Sequence, residues 1–185
     1  MDSGTDDRGW SRAQRGTHWA SAGLVLVGFA LGWIMVAVPY RPLLLKFSLY
    51  QAHKTIGLLV LALALWRLAL RVLRRRPAWD VALSPAQVRL AGLGHVALYG
   101  LLLAVPVLGY VTAAAAPIRI PTLLFGVIAV PHVIGVDAAS FAWLRPIHRG
   151  AAIALVGLAC GHAAVAIAHH RTGRYVLWRM WRGST

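Results

Sequence analysis

Eight histidines stand in this chain beside one cysteine and five acidic residues, so imidazole dominates whatever chemistry the sequence carries. His148 and His162 are 14 positions apart. On a helix that spacing is about 21 Å of rise and close to four whole turns, which puts both rings on one face. Two imidazoles so placed suit two metal centres stacked along one helix. Haem iron takes axial imidazole from protein, and two stacked haems would each take one ligand from such a helix. His53 and His18 are the candidates for the partner ligands, provided that the elements bearing them reach the same two depths.

Those elements read as membrane spans. Of 185 residues, 59% are hydrophobic and only 13% charged, with a mean hydropathy of +0.66. A soluble domain carries about a quarter charged residues, so this chain lacks the polar residues to cover its own surface. The formal charge of +14 raises nucleic acid as a partner, but in so apolar a chain it reads as membrane topology, with no nucleic acid implied. Four apolar stretches, about 18–38, 49–73, 91–114 and 146–169, are each long enough to cross about 30 Å of hydrocarbon. The expected fold is therefore an all-α membrane protein, one domain over 1–185, with a four-transmembrane-helix bundle and an outer loop at 115–145.

Lys and Arg mark the cytoplasmic side. Arg8, Arg12, Arg15, Arg71, Arg74, Arg75, Arg76, Arg89, Arg171, Arg174, Arg179 and Arg182 gather on one side of a four-span chain, so both termini are expected in the cytoplasm. The polar start of the chain shows no cleavable signal pattern, and no period of 20–50 residues repeats. Trp10, Trp19, Trp33, Trp66, Trp143, Trp178 and Trp181 lie near span ends, where the aromatic belt belongs. Within the outer loop, IRIPTLLFGVIAVPHVIGV is apolar enough to suggest a fifth span. Pro117, Pro121 and Pro131 interrupt it too often for a crossing helix, so an interfacial or re-entrant cap is expected.

With four spans, His53 and His148 lie equally shallow below the outer surface, and His18 and His162 near the inner one. Depth alone thus pairs His53 with His148 around an outer haem and His18 with His162 around an inner haem. Five spans would separate His53 from His148. A span histidine is also a common hydrogen-bonder between helices, and several can relay protons in a haem-free transporter. Zinc fits poorly, because neither site converges three or four ligands with a cysteine or carboxylate. The single cysteine, Cys160, leaves no CxxCH attachment motif, so any haem is non-covalent, hence b-type. Gly57, Gly157 and Gly161 offer bare backbone to a flat macrocycle, or ordinary small-residue packing. Arg67 reaches the inner haem's depth and would suit a propionate or snorkel to headgroups; for Arg71 snorkelling is the better reading.

The stretches RGTHWASAG, QAHKTIGLLVLALALWRL, GHVALYGLLLAVPVLGYV and IHRGAAIALVGLACGHAAVAIAHH resemble the bacterial cytochrome b561 family, over about 15–170. The resemblance implies a four-helix, di-haem inner-membrane cytochrome related to the cytochrome b subunits of formate dehydrogenase and nickel–iron hydrogenase. It implies iron ligands from the first, second and fourth helices, landing on the same four histidines. Stand-alone members of this size are similar to superoxide oxidase, which passes an electron from periplasmic superoxide to ubiquinone. Arg41, Lys46, Lys54, Arg119, Arg145 and Arg149 face the outer side against one acid, Asp137. Lys54 and Arg149 directly follow the outer ligands and could steer a small anion, or hold propionates or lipid phosphates. His95 and His169 could hydrogen-bond a quinone near the inner haem, or serve between helices and at the interface; His132 carries no inference. The alternative to a substrate of its own is an electron-transfer subunit serving a dehydrogenase or a soluble cytochrome.

Overall fold

The computed structural model describes residues 10–73, 84–174 and 176–181. Arg8, Arg74, Arg75, Arg76 and Arg182, on which the orientation partly rests, lie outside the described residues. Four long helices form: α1 Arg12–Ala37, α2 Leu43–Leu73, α3 Pro85–Ala115 and α4 Ala138–His169. All four are long and apolar enough to cross a membrane. Local sequence starts them cleanly. Ser11 and Gln14 close a capping box on α1, and Ser84 and Gln87 close another on α3, where Pro85 supplies the preset φ of a first turn.

The fourth helix is longer than its expected span. It begins at Ala138, so residues 138–145 of the expected outer loop are helical and Pro146 lies inside α4. Asp137 provides the start: its carboxylate accepts from Ala139 N–H at 3.1 Å and from the Ser140 hydroxyl at 2.6 Å. These bonds hold the Asp137 carboxyl below its usual range, the Ser140 hydroxyl first among them. Membrane helices tolerate such a proline because neighbouring groups satisfy the freed carbonyl.

The expected cap at 117–136 is a β-hairpin, β1 Thr122–Leu124 paired antiparallel with β2 Ile128–Val130. Phe125 and Gly126, with φ of 55° and 77°, make the turn. The hairpin is fastened to α2 beside His53. Gln51 donates to Pro121 O at 2.7 Å and accepts from Leu123 N–H at 2.9 Å. Lys54 donates to Ile120 O at 2.7 Å, and Thr55 accepts from Phe125 N–H at 3.2 Å. Tyr110 of α3 donates to Pro131 O. The Thr122 hydroxyl and His132 Nε2 share a hydrogen bond at 3.1 Å. Burial, then Lys54 and Arg119, pushes the His132 pKa down.

Gln51 is the buried centre of this latch. Replacing it with alanine leaves the half-buried Leu123 N–H without its acceptor and removes one of the two donors to Pro121 O, which Lys54 still reaches at 3.3 Å. A donor stranded in this way costs up to about 1–3 kcal/mol. Hydrogen exchange at Leu123 N–H in Gln51→Ala is expected to quicken at least tenfold; unchanged exchange would mean the latch contributes nothing to hairpin order.

Packing between the long helices is uneven. α1 lies along α2, α2 along α3, and α3 along α4, whereas α4 touches α1 slightly and α2 still less. The buried core is correspondingly thin, with Val60, Ala64, Leu102 and Leu155 at its centre. Beyond α4 a π-type turn, His170–Arg174, bends at Gly173 (φ 80°) and leads into a short helix, α5 Val176–Trp181.

Candidate functional site

The helices that barely touch carry the histidines that face each other. His53 of α2 and His148 of α4 have ring centres 6.2 Å apart with planes at 81°. His18 of α1 and His162 of α4 have centres 6.4 Å apart with planes at 61°. A metal–imidazole bond is about 2.0 Å. With conjugated ring bonds near about 1.33 Å, a ring nitrogen lies about 1.1 Å from the ring centre. Two imidazoles on one iron therefore have centres about 6.3 Å apart. Both pairs stand at that separation.

The pair at the hairpin end also has its ring nitrogens sorted. His53 Nδ1 lies 2.9 Å from Gly28 O, and His148 Nδ1 lies 3.0 Å from Val105 O. A carbonyl only accepts, so each Nδ1 carries the proton and each Nε2 keeps its lone pair for a metal. Two glycines make this approach possible. A Cβ on Gly32 would sit 3.2 Å from His53 Cε1, and one on Gly109 only 2.9 Å from His148 Cε1. Gly32 follows Gly28 by one helical turn, and Gly109 follows Val105 by one turn. Helical side chains lean back over the preceding turn, so a side chain at the fourth position would cover the carbonyl that the imidazole uses. Glycine opens that window on α1 and again on α3.

Sequence reasoning missed both windows. The Gly28–Gly32 spacing on an apolar helix was the available signal on α1; nothing comparable marks Gly109. The glycines singled out instead, Gly57, Gly157 and Gly161, meet no protein atom within 4 Å of a built Cβ. That is open space, as a macrocycle's cradle requires, though lipid-facing helix surface has it too.

At the opposite end a third imidazole joins the pair. His95 of α3 stands 5.4 Å from His162, centre to centre, with planes at 75°. This is too short for an intervening iron and suits direct contact between rings. His95 Nδ1 lies 2.6 Å from Ala91 O on its own helix. Arg67 donates from Nη2 to His18 Nδ1 at 3.1 Å and lies over the Tyr99 ring at 5.4 Å. The His18–His162 pair thus meets the distance requirement with a donor, not a carbonyl, at His18 Nδ1. His169 ends α4, seven positions beyond His162. Among the described residues no three His, Cys, Asp or Glu side chains converge as a metal cage would need.

The two cations next to the hairpin-end ligands do not converge. Lys54 is spent on Ile120 O and, at 3.3 Å, Pro121 O. Arg149 stacks over Trp33 at 4.2 Å. Lys46 is buried, donating to Val38 O, and Arg119 donates to Ile134 O at 3.1 Å. Carbonyls and ring faces hold these four charges without neutralising them, and Asp137 directs its carboxylate to its own helix cap.

A four-helix membrane bundle that aims imidazole pairs across the gaps between its helices, with no thiol attachment site, has the donor set of a b-type cytochrome. The sequence profile of the prokaryotic cytochrome b561 family matches residues 9–183, and the chain belongs to that family. Cytochrome b561 homolog 2 of Escherichia coli (strain K12) is 33% identical over 159 residues, covering 83% of this chain and 80% of that protein. The chain is accordingly a multi-pass membrane cytochrome with b-type haem, acting in electron transfer. That membership sets aside the haem-free transporter.

Proposed function

We propose that the chain is a di-haem cytochrome that moves electrons across the bacterial inner membrane, oxidising superoxide outside and reducing ubiquinone within the bilayer. The observation that carries the reading is the pair of imidazole couples, each at the separation one iron spans. His53 and His148 hold the outer haem, and His18 and His162 the inner one. Haem b supplies reversible one-electron chemistry at each couple. Arg67 serves a propionate of the inner haem. It must then leave His18 Nδ1, because a histidine bound through Nε2 carries its proton on Nδ1. The arginine-rich end is cytoplasmic, so both termini lie there. His95 and His169 are assigned to the quinone's carbonyl groups.

Overall, two superoxide anions become two molecules of dioxygen, and their two electrons, with two protons, convert one ubiquinone to the quinol. The protein's part outside is to attract the anion. The un-neutralised charges of Lys54, Arg119 and Arg149 do this without supplying or removing a proton. Stopped-flow haem reduction by superoxide, with and without a quinone acceptor, tests the reading. The rate is expected to fall severalfold as salt rises from 0.01 to 0.15 M and the screening length shrinks from about 30 to 8 Å. A salt-independent rate would refute steering, and absence of reduction would refute superoxide as donor.

One observation favours a second reading. Phe125 and Val127 at the hairpin tip are 63% and 78% exposed, an apolar surface on which a soluble redox partner could seat. An electron-transfer subunit of that kind would stay oxidised with superoxide and be reduced only through its partner.

A further inference from the structure

At the end of the bundle away from the hairpin, α5 folds back against the first turns of α1. Trp19 Nε1 donates to Met180 O at 3.0 Å, and the Trp19 and Trp181 rings meet edge to face at 5.4 Å. Between them lies an open surface depression of about 480 Å³ lined by Arg12, Arg15, Gly16, Trp19, Met180 and Trp181. Its size falls within the range of ligand pockets, about 300–1,000 Å³. Its walls combine two guanidinium groups with aromatic and thioether surface, and among the described residues no acidic side chain lines it. Arg15 is incompletely satisfied: Nη1 donates to Trp181 O at 3.3 Å, while Nε is buried with no hydrogen-bond partner among the described residues. A guanidinium presents five donors in a planar fork suited to phosphate. Flanking tryptophans place the depression at headgroup depth.

We propose that this depression is a binding site for a phosphate oxyanion, supplied by the headgroup of an anionic phospholipid in the leaflet at that end. Arg15 takes the phosphate oxygens through its fork, Arg12 adds the second charge, and the acyl chains leave along Trp19 and Trp181. Gly16 is part of the lining, and a Cβ there meets nothing within 4 Å, so a larger side chain can be introduced without striking the fold. The lipid would tie α5 to the helix that carries His18, a role outside the electron-transfer chemistry.

Native mass spectrometry of the haem-loaded protein from mixed phosphatidylglycerol and phosphatidylcholine nanodiscs tests this. The wild type is expected to retain phosphatidylglycerol roughly tenfold over phosphatidylcholine, as two cations near a headgroup allow. Arg15→Gln and, independently, Gly16→Leu should abolish the preference, and Arg89→Gln, exposed and away from the depression, should keep it. Displacement of the lipid by millimolar inorganic phosphate would assign the same site to a soluble phosphate; persistence assigns it to the lipid. Equal retention of both lipids, or a preference unchanged in Arg15→Gln and Gly16→Leu, overturns the proposal.

Discussion

Alanine at His53 and alanine at His148 are expected to remove one and the same haem, leaving the other in place. Each substitution takes away half of a couple whose rings stand 6.2 Å apart. Loss of a mere supporting partner around a metal ligand already costs about 10–100-fold in affinity, and loss of the ligand itself costs more. Alanine at His18 or His162 should remove the other haem. His95 supplies the internal control. Its ring lies nearer to His162, at 5.4 Å, than the His18 ring does at 6.4 Å, yet only the longer separation admits an iron. His95→Ala should therefore retain both low-spin haem signals in electron paramagnetic resonance. Loss of the inner signal from His95→Ala, with retention in His18→Ala, would exchange the two assignments.

A second large effect comes from a residue that touches no iron. Gly109→Ala places a methyl 2.9 Å from Cε1, 3.3 Å from Nδ1 and 3.4 Å from Nε2 of His148. The ring must withdraw from Val105 O, and with it goes the bond that holds the proton on Nδ1. Overpacking of this kind costs about 1–3 kcal/mol, roughly a five- to hundredfold weaker hold on the outer haem at 1.4 kcal/mol per decade. Alanine improves helix propensity by about 1 kcal/mol over glycine, so a loss cannot be laid to a weaker α3. Gly32→Ala, at 3.2 Å from His53, should show the same defect more mildly. Gly100→Ala meets nothing and should be neutral. Equal haem content in Gly109→Ala and Gly100→Ala would mean that the glycine window plays no part in holding the ligand.

Much of this arrangement was legible in the residues. Long apolar runs announce membrane helices here because a chain of 185 residues with 13% charged residues cannot bury four of them in a soluble core. The 14-residue step from His148 to His162 converts directly into depth once the helix is granted. The structure then brings together the same histidine pairs. What stayed hidden is what depends on contact between elements. Pro146 looked like a helix start, whereas Asp137, nine residues earlier, caps the helix with its own carboxylate. Pro117, Pro121 and Pro131 ruled out a crossing helix but did not reveal strand pairing around Phe125 and Gly126. Lys54 read as a cation that steers an anion or holds a propionate or lipid phosphate, and its use as a hairpin anchor follows only from where Ile120 and Pro121 present their carbonyls. The glycine windows need three elements at once, namely a carbonyl, a glycine one turn on, and an imidazole from another helix.

The most direct test is a haem count on the purified chain, by pyridine haemochrome absorbance against quantitative amino-acid analysis. Two b-type haems per chain, falling to one in His53→Ala and to one in His18→Ala, is the predicted result. One haem or none in the wild type, in protein prepared with ample haem, would contradict the two-couple assignment.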